Sequence, residues 1–223
     1  MKTYNRQITT IRKFGNKELI SFGKEFDNLR PGQFFLGYDP ERDFHVRPVY
    51  FVSSQDENYF LRPEESSWSL GDTIIIKGPI GNGFSDLSIY QNLLLVSLGT
   101  NHGALTPLME TGLKSNKNVS VSVQYPEIQF SPSVEIVLPE SLEESFDWAD
   151  FIFVEINRDD LQNQHGLLKK IELSNIPCEL LIYCPILCSG NAECMMCTVN
   201  TKIGKIKTCK QGQVFDLKTL ELE

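Results

Sequence analysis

Five of the six cysteines fall within CPILCSGNAECMMCTVNTKIGKIKTC, residues 184–209, and the first 177 residues contain none. Four of them, Cys188, Cys194, Cys197 and Cys209, are spaced C-x5-C-x2-C-x11-C. Thiolates are soft ligands for iron and zinc, and they are also the reactive groups of disulfide exchange. The first three lie close enough in sequence to be delivered from one tight loop, with the fourth arriving from a separate turn. The small residues SGN at 189–191 let backbone N–H groups turn toward the sulfurs, where they stabilise negative charge. Cys178 and Cys184 sit in or beside an apolar run and read as small buried residues.

Three chemistries use such spacings. Plant-type two-iron sites have C-x4-C-x2-C and a distant fourth cysteine, and here the first gap is one residue longer. Four-cysteine zinc sites usually show two C-x2-C pairs, whereas this chain has only Cys194 with Cys197. A redox-active C-x2-C opens a helix after a strand, and no helical pattern follows CMMC. The arrangement favours a [2Fe–2S] cluster on Cys188, Cys194, Cys197 and Cys209. Zinc, disulfides or no cofactor are the alternatives.

The chain has 223 residues, 41% of them hydrophobic, which is enough for a core that needs no disulfides. A net charge of −8 argues against nucleic acid and against an anionic membrane surface as partners. No apolar run approaches the length of a membrane span. The opening MKTYNRQITTIRKFGNK carries charges and no apolar core of a secretory signal, so a cytoplasmic chain is expected. In that compartment clustered cysteines read as metal or redox ligands first.

The elements that must position these cysteines come in three blocks. Residues 1–86 contain short runs rich in β-branched and aromatic residues: QITTIRKF, KELISFGK, GQFFLGY, HVRPVYFVS, NYFLR and DTIIIKGP. Gly, Pro, Asp or Asn separates them, as in a small barrel or sandwich. Residues 87–183 alternate strand and helix. NLLLVSL, NVSVSVQY, DFIFVEI and CELLIYC read as strands, VEIVL as a possible one, and GALTPLMETGLK and DDLQNQHGLLKKIEL as helices. That alternation predicts a small parallel α/β sheet. Residues 184–223 show little regular pattern.

Three stretches in the first block stand out: RPGQFFLGY at 30–38, RPVYFVS at 47–53 and GDTIIIKGPIGNGF at 71–84. Their order, the cysteine tail and the closing CKQGQVFD at 209–216 resemble the electron-transfer subunit of two-subunit dihydroorotate dehydrogenases, a branch of the ferredoxin-reductase family. The likeness spans nearly the whole chain, and GPIGNGF with the tail is its most specific part. It implies a flavin-binding β-barrel over 1–86, an NAD-binding-like α/β domain over 87–183 and a [2Fe–2S] tail over 184–223. It implies FAD in the barrel, with Arg47 on the flavin phosphate and the backbone of Pro48, Val49 and Tyr50 beside the isoalloxazine. By family position, Tyr59, Phe60, Leu61, Ser66 and Ser67 flank the FAD further along. It also implies a partner, a dihydroorotate-dehydrogenase-like catalytic subunit in a hetero-oligomer.

Four positions depart from the family pattern. Tyr50 replaces a serine that hydrogen-bonds the flavin; its hydroxyl can donate from farther away, or its ring fills the flavin site. EESS at 64–67 replaces a glycine-rich turn for the pyrophosphate. SLGTNHGALTPL replaces the glycine-rich turn of the nicotinamide site, keeping Gly99 and Gly103 but placing Asn101 and His102 between them. VEINRDDL replaces a C-G-P segment over the nicotinamide. The expected function is therefore electron transfer between FAD and a [2Fe–2S] cluster, within a complex rather than as a stand-alone enzyme, with the NAD site altered. The alternatives are a non-catalytic interaction or regulatory protein on a reductase scaffold, or a ferredoxin-like relay with the cluster alone.

Overall fold

A computed structural model of the chain describes residues 1–14, 17–24, 26–53, 57–99, 103–123 and 131–222. The first block forms a curled, wholly antiparallel sheet of seven strands: β1 (Lys2–Gln7), β2 (Thr10–Phe14), β3 (Lys17–Ser21), β4 (Phe34–Tyr38), β5 (Arg47–Ser53), β6 (Tyr59–Leu61) and β7 (Thr73–Ile80). Their order is β1-β7-β4-β5-β6-β3-β2. The two edge strands are thus consecutive in sequence. The run QITTIRKF, one strand by its pattern, is split at Ile8 and Thr9, whose N–H groups go instead to Asp72 and Ser21.

The alternation of side chains in these strands explains why FFLGY and the PVYFV of RPVYFVS carry apolar or aromatic residues on both faces. Phe35, Val49, Phe51, Phe60, Ile74 and Ile76 fill the interior of the curl around Trp68. Their neighbours Phe34, Leu36, Tyr50, Val52, Tyr59 and Leu61 face the other way, into a core shared with the rest of the chain. Strands buried on both faces have no polar face to show.

The second sheet contains β8 (Asn92–Leu98), followed by α1 (Thr106–Lys114), β9 (Asn118–Val123), β10 (Glu135–Val137), β11 (Phe151–Asn157), α2 (His165–Ser174) and β12 (Cys178–Tyr183). Five strands are parallel in the order β10-β9-β8-β11-β12. The strands and helices read from the sequence are all present. The helix expected to begin near Asp159 starts at His165, after a short 3-10 turn at Arg158–Asp160. The stretch 139–145, poor in helical pattern, is a 3-10 helix.

The tail is more ordered than its sequence suggests. It forms a hairpin of β13 (Thr198–Thr201) and β14 (Gly204–Lys207), a single turn α3 (Thr208–Gln211), and β15 (Val214–Asp216). β15 adds an antiparallel edge to the second sheet beside β12. Just before it, the backbones of Gly212 and Gly81 meet with no room for a side chain on either. A Cβ on Gly81 would lie 2.9 Å from the Gly212 Cα, and one on Gly212 would overlap the Gly81 Cα. Gly32 packs against Val214 and Phe84 in the same way. The N–H of Phe84 bonds the Pro31 carbonyl at 2.8 Å, and the Gln33 amide donates to Gly81 O at 2.8 Å. The three most distinctive motifs, PGQF, GPIGNGF and CKQGQVFD, therefore lock into one junction.

This contact yields a stability prediction. Gly212→Ala both clashes with Gly81 and forces a φ of +98° on a Cβ-bearing residue. Urea denaturation should show a loss of about 2–4 kcal/mol. Gly166→Ala in α2 has open space around it and should be neutral or stabilising by up to about 1 kcal/mol.

Candidate functional site

The cysteine loop winds through an unusual density of left-handed residues: Ser189, Gly190, Ala192 and Met195 all have φ between +53° and +76°. That winding turns successive N–H groups inward, as in an anion-binding nest. The Cys188 thiol is pulled below its ordinary range, first by the Cys194 N–H and then, against the opposing effect of burial, by the Glu193 and Ala192 N–H groups. Gly190 lets the loop touch the first sheet, because a Cβ there would lie 2.6 Å from Leu36.

The four cysteines lie in one neighbourhood: Cys188 interacts with Cys194, and buried Cys209 interacts with both Cys197 and Cys188. Burial raises the Cys209 thiol, and the neighbouring Cys197 and Cys188 raise it further. Among the described residues no three His, Cys, Asp or Glu side chains converge on a point suited to one metal ion. Cys178 and Cys184 are buried as expected, with burial lifting the Cys184 thiol to about 11.

Next to this loop lies a cleft of about 300 Å³. One wall comes from β5 and β6 with the segment after them: Arg47, Pro48, Tyr50, Leu61, Arg62 and Pro63. The other comes from Pro185, Ile186 and Leu187, which run directly into Cys188. Of the residues that the resemblance assigned to a flavin, Arg47, Pro48, Tyr50 and Leu61 line this cleft. Val49 and Phe60 point their side chains into the interior of the curl. Tyr59 is buried, and the Arg12 guanidinium lies 3.6 Å from its ring centroid. Ser66 is buried in a turn, donating to Pro63 O at 2.7 Å, and Arg62 donates to its carbonyl at 3.1 Å. Ser67 is exposed, and its carbonyl accepts from Arg42 at 3.3 Å.

Arg47 is held from beneath. Its Nε lies 3.3 Å from buried Asp43, whose other oxygen accepts from the Trp68 indole at 2.6 Å and from the Asp39 N–H at 2.7 Å. Glu65 approaches the same guanidinium at 3.6 Å from the rim, and Glu64 pairs with Lys17 at 2.9 Å. The two glutamates are 86% and 74% exposed, so both carboxylates of EESS lean out to solvent. A phosphate arriving at Arg47 would displace an exposed partner, while the buried one kept the guanidinium aimed.

Sequence reasoning missed the groups behind the cleft. Tyr50 is 7% exposed and packs edge-on against Tyr183, with centroids 4.8 Å apart. Burial raises its hydroxyl pKa, partly offset by the nearby Gln213 amide. Gln213 is fully buried, yet neither its Oε1 nor its Nε2 makes a well-aligned hydrogen bond. The Tyr50 hydroxyl is a polar neighbour of this amide. Asn101 and His102 lie outside the described residues.

Comparison with known proteins agrees with this geometry. No protein-family model matches the chain. It is 26% identical over 220 residues to the dihydroorotate dehydrogenase B (NAD(+)) electron transfer subunit of Clostridium acetobutylicum, covering 88% of this chain and 87% of the relative. The same subunit of Clostridium perfringens is 24% identical, with 84% and 85% covered. The chain is a divergent relative of these electron-transfer subunits. Its fold is that of the ferredoxin reductases. A structure of an NADH-dependent reduced ferredoxin-NADP oxidoreductase superposes with a TM-score of 0.72 at 16% identity, covering 97% of this chain and 90% of that one. The FAD/NAD-binding domain of a Vibrio cholerae nitric oxide dioxygenase superposes at 0.56 and 11% identity, covering 80% and 98%.

The Asp43 group gives a pH prediction. Burial would raise this carboxyl, but the Asp39 N–H, the Trp68 indole and Arg47 together hold it below 3.8. A lowered folded pKa adds stability above 3.8 that disappears as pH falls through the folded value. Asp43→Asn should cost about 1–3 kcal/mol at neutral pH. In urea titrations at a series of pH values, the gap between variant and wild type should shrink below 3.8.

Proposed function

We propose that the chain is an electron-transfer subunit that carries FAD in the cleft and a [2Fe–2S] cluster on Cys188, Cys194, Cys197 and Cys209. It would serve a partner oxidoreductase of the dihydroorotate dehydrogenase type, in the cytoplasm and in pyrimidine biosynthesis. The observation that carries this reading is the shared wall: Pro185, Ile186 and Leu187 line the cleft and lead straight into Cys188. The working division is a flavin module over 1–86, an NAD-binding-like module over 87–183 and a cluster module over 184–223.

The residues present fit both groups. A two-iron cluster is held by four Cys thiolates, and Cys188, Cys194, Cys197 and Cys209 are near enough for Cys188 to respond to Cys194 and Cys209 to both Cys197 and Cys188. The inward N–H groups of residues 192–194 would stabilise the negative charge of such a centre. In the cleft, Arg47 would clamp the flavin phosphates, Asp43 would fix its direction, and the strand backbone at 48–50 would lie along the ring. FAD and the cluster supply two-electron and one-electron chemistry respectively; the protein sets their separation and orientation. Homology to subunits named for a complex supports a catalytic partner. Among the described residues no helix is long and apolar enough to cross a membrane.

A second reading has specific support. Arg47 is already paired and Tyr50 already buried, which favours a relay with the cluster alone. Protein purified without oxygen should show flavin and iron–sulfur absorption, with about two irons and two labile sulfides per chain. Cys197→Ser should abolish the iron–sulfur bands while leaving the flavin. Chromatography of the heat-released cofactor separates the two readings. A protein that stays colourless and iron-free after anaerobic reconstitution overturns both.

A further inference from the structure

The parallel sheet reverses its winding between β8 and β11, since β9 lies to one side and β12 to the other. Open α/β sheets take nucleotides outside the carboxyl ends of their strands at such a point. Here a buried carboxylate occupies it. Glu155 stands opposite Ser97 in the β8–β11 register and is 1% exposed. Its Oε1 accepts from the Ser97 hydroxyl at 2.7 Å. Its Oε2 accepts from the Tyr183 hydroxyl at 2.9 Å and from the Ala104 N–H at 3.2 Å. All three are donors, the set that an ionised carboxylate wants.

Ala104 lies in the turn that enters α1. An N–H in that position is what a dinucleotide pyrophosphate uses, and in this chain Glu155 has taken it. Two further groups crowd the same mouth. An Asp160 carboxylate oxygen would lie 3.0 Å from a Cβ on Gly99, and the Asn157 amide holds it there at 3.0 Å. The Phe14 ring, reaching over from the end of β2, would lie 2.8 Å from a Cβ on Gly103. Glycines in such turns leave the backbone open to the pyrophosphate; here a carboxylate and an aromatic ring use that opening. The residues present do not fit the NAD named for the relatives.

We propose that Glu155, assisted by Asp160 and Phe14, closes this crevice to nicotinamide dinucleotides. Electrons then pass to and from the redox centre of another protein instead of a soluble nicotinamide. The second statement rests on the electron-transfer reading above; the first does not.

The test is calorimetric titration of the full chain with NADH, with anaerobic spectra recorded alongside. Wild-type protein should give no saturable binding up to about 1 mM and no bleaching by NADH, although dithionite bleaches it. Glu155→Gln keeps the size of the side chain and removes a charge facing the pyrophosphate. It should bring NADH binding into the measurable range, at least about tenfold tighter than the wild-type limit. Phe14→Ala leaves the buried network intact and should act in the same direction, and circular dichroism checks that both variants fold. Wild-type binding with a Kd below about 100 μM overturns the proposal, as do two folded variants that bind no better than wild type. Absence of flavin and iron counts against the electron-transfer reading alone, because the calorimetry reports on the crevice with or without those cofactors.

Discussion

The arrangement depends on one backbone contact, Gly81 against Gly212. A chain that must bring a C-terminal loop against an N-terminal sheet needs a fixed point between them. Two glycines in direct contact supply one with no side chain to rotate. The consequences run in both directions along the tail. Cys209 lies three residues before Gly212, so the contact fixes the thiol that arrives from outside the cysteine loop. Gln213 follows it directly and is carried beneath Tyr50 at the back of the cleft. β15 comes next and ties the same segment to the edge of the second sheet. The cleft, the cysteine cluster and the α/β sheet are thus referenced to one point.

The fold was legible where local pattern and tertiary burial agree. NLLLVSL, DFIFVEI and CELLIYC are apolar because parallel strands are covered on both faces, and all three are central or next to the edge of the second sheet. The tail was not legible, because its order comes from partners distant in sequence. VFD is too short to announce a strand and becomes one only because β12 offers an edge. The cysteine loop shows the same limit. Its ligand types are plain from spacing, but the left-handed turns at Ser189, Ala192 and Met195 fall on residues that seldom adopt them. In the cleft, the family resemblance pointed to Arg47 and Tyr50 but not to Asp43, which reaches Arg47 from a loop and is visible only once Trp68 is seen bonded to it. Glu155 did leave a trace, as the one polar residue in the run FIFVEI, 151–156. A lone acid in such a run has to find donors, and among the described residues this one has Ser97, Ala104 and Tyr183.

Three departures from the family pattern looked independent in the sequence: Tyr50 in β5, SLGTNHGALTPL at the end of β8 and the segment after it, and VEINRDDL at the end of β11 and the segment after it. In space they are one feature. The Tyr50 ring packs edge-on against Tyr183, whose hydroxyl donates to Glu155 of VEINRDDL. Glu155 in turn accepts from Ser97 and Ala104, on the two sides of the altered turn. A tyrosine where a serine is usual needs an aromatic neighbour to cover it; a carboxylate buried in a sheet needs donors to satisfy it. Tyr183 meets both needs at once. The substitutions at the flavin wall and at the nicotinamide mouth therefore support each other, and reverting either alone would strip Tyr183 of one partner. That coupling gives a physical reason for the alterations to occur together, at the seam between the two sheets, while GPIGNGF at the glycine junction stays close to the family pattern.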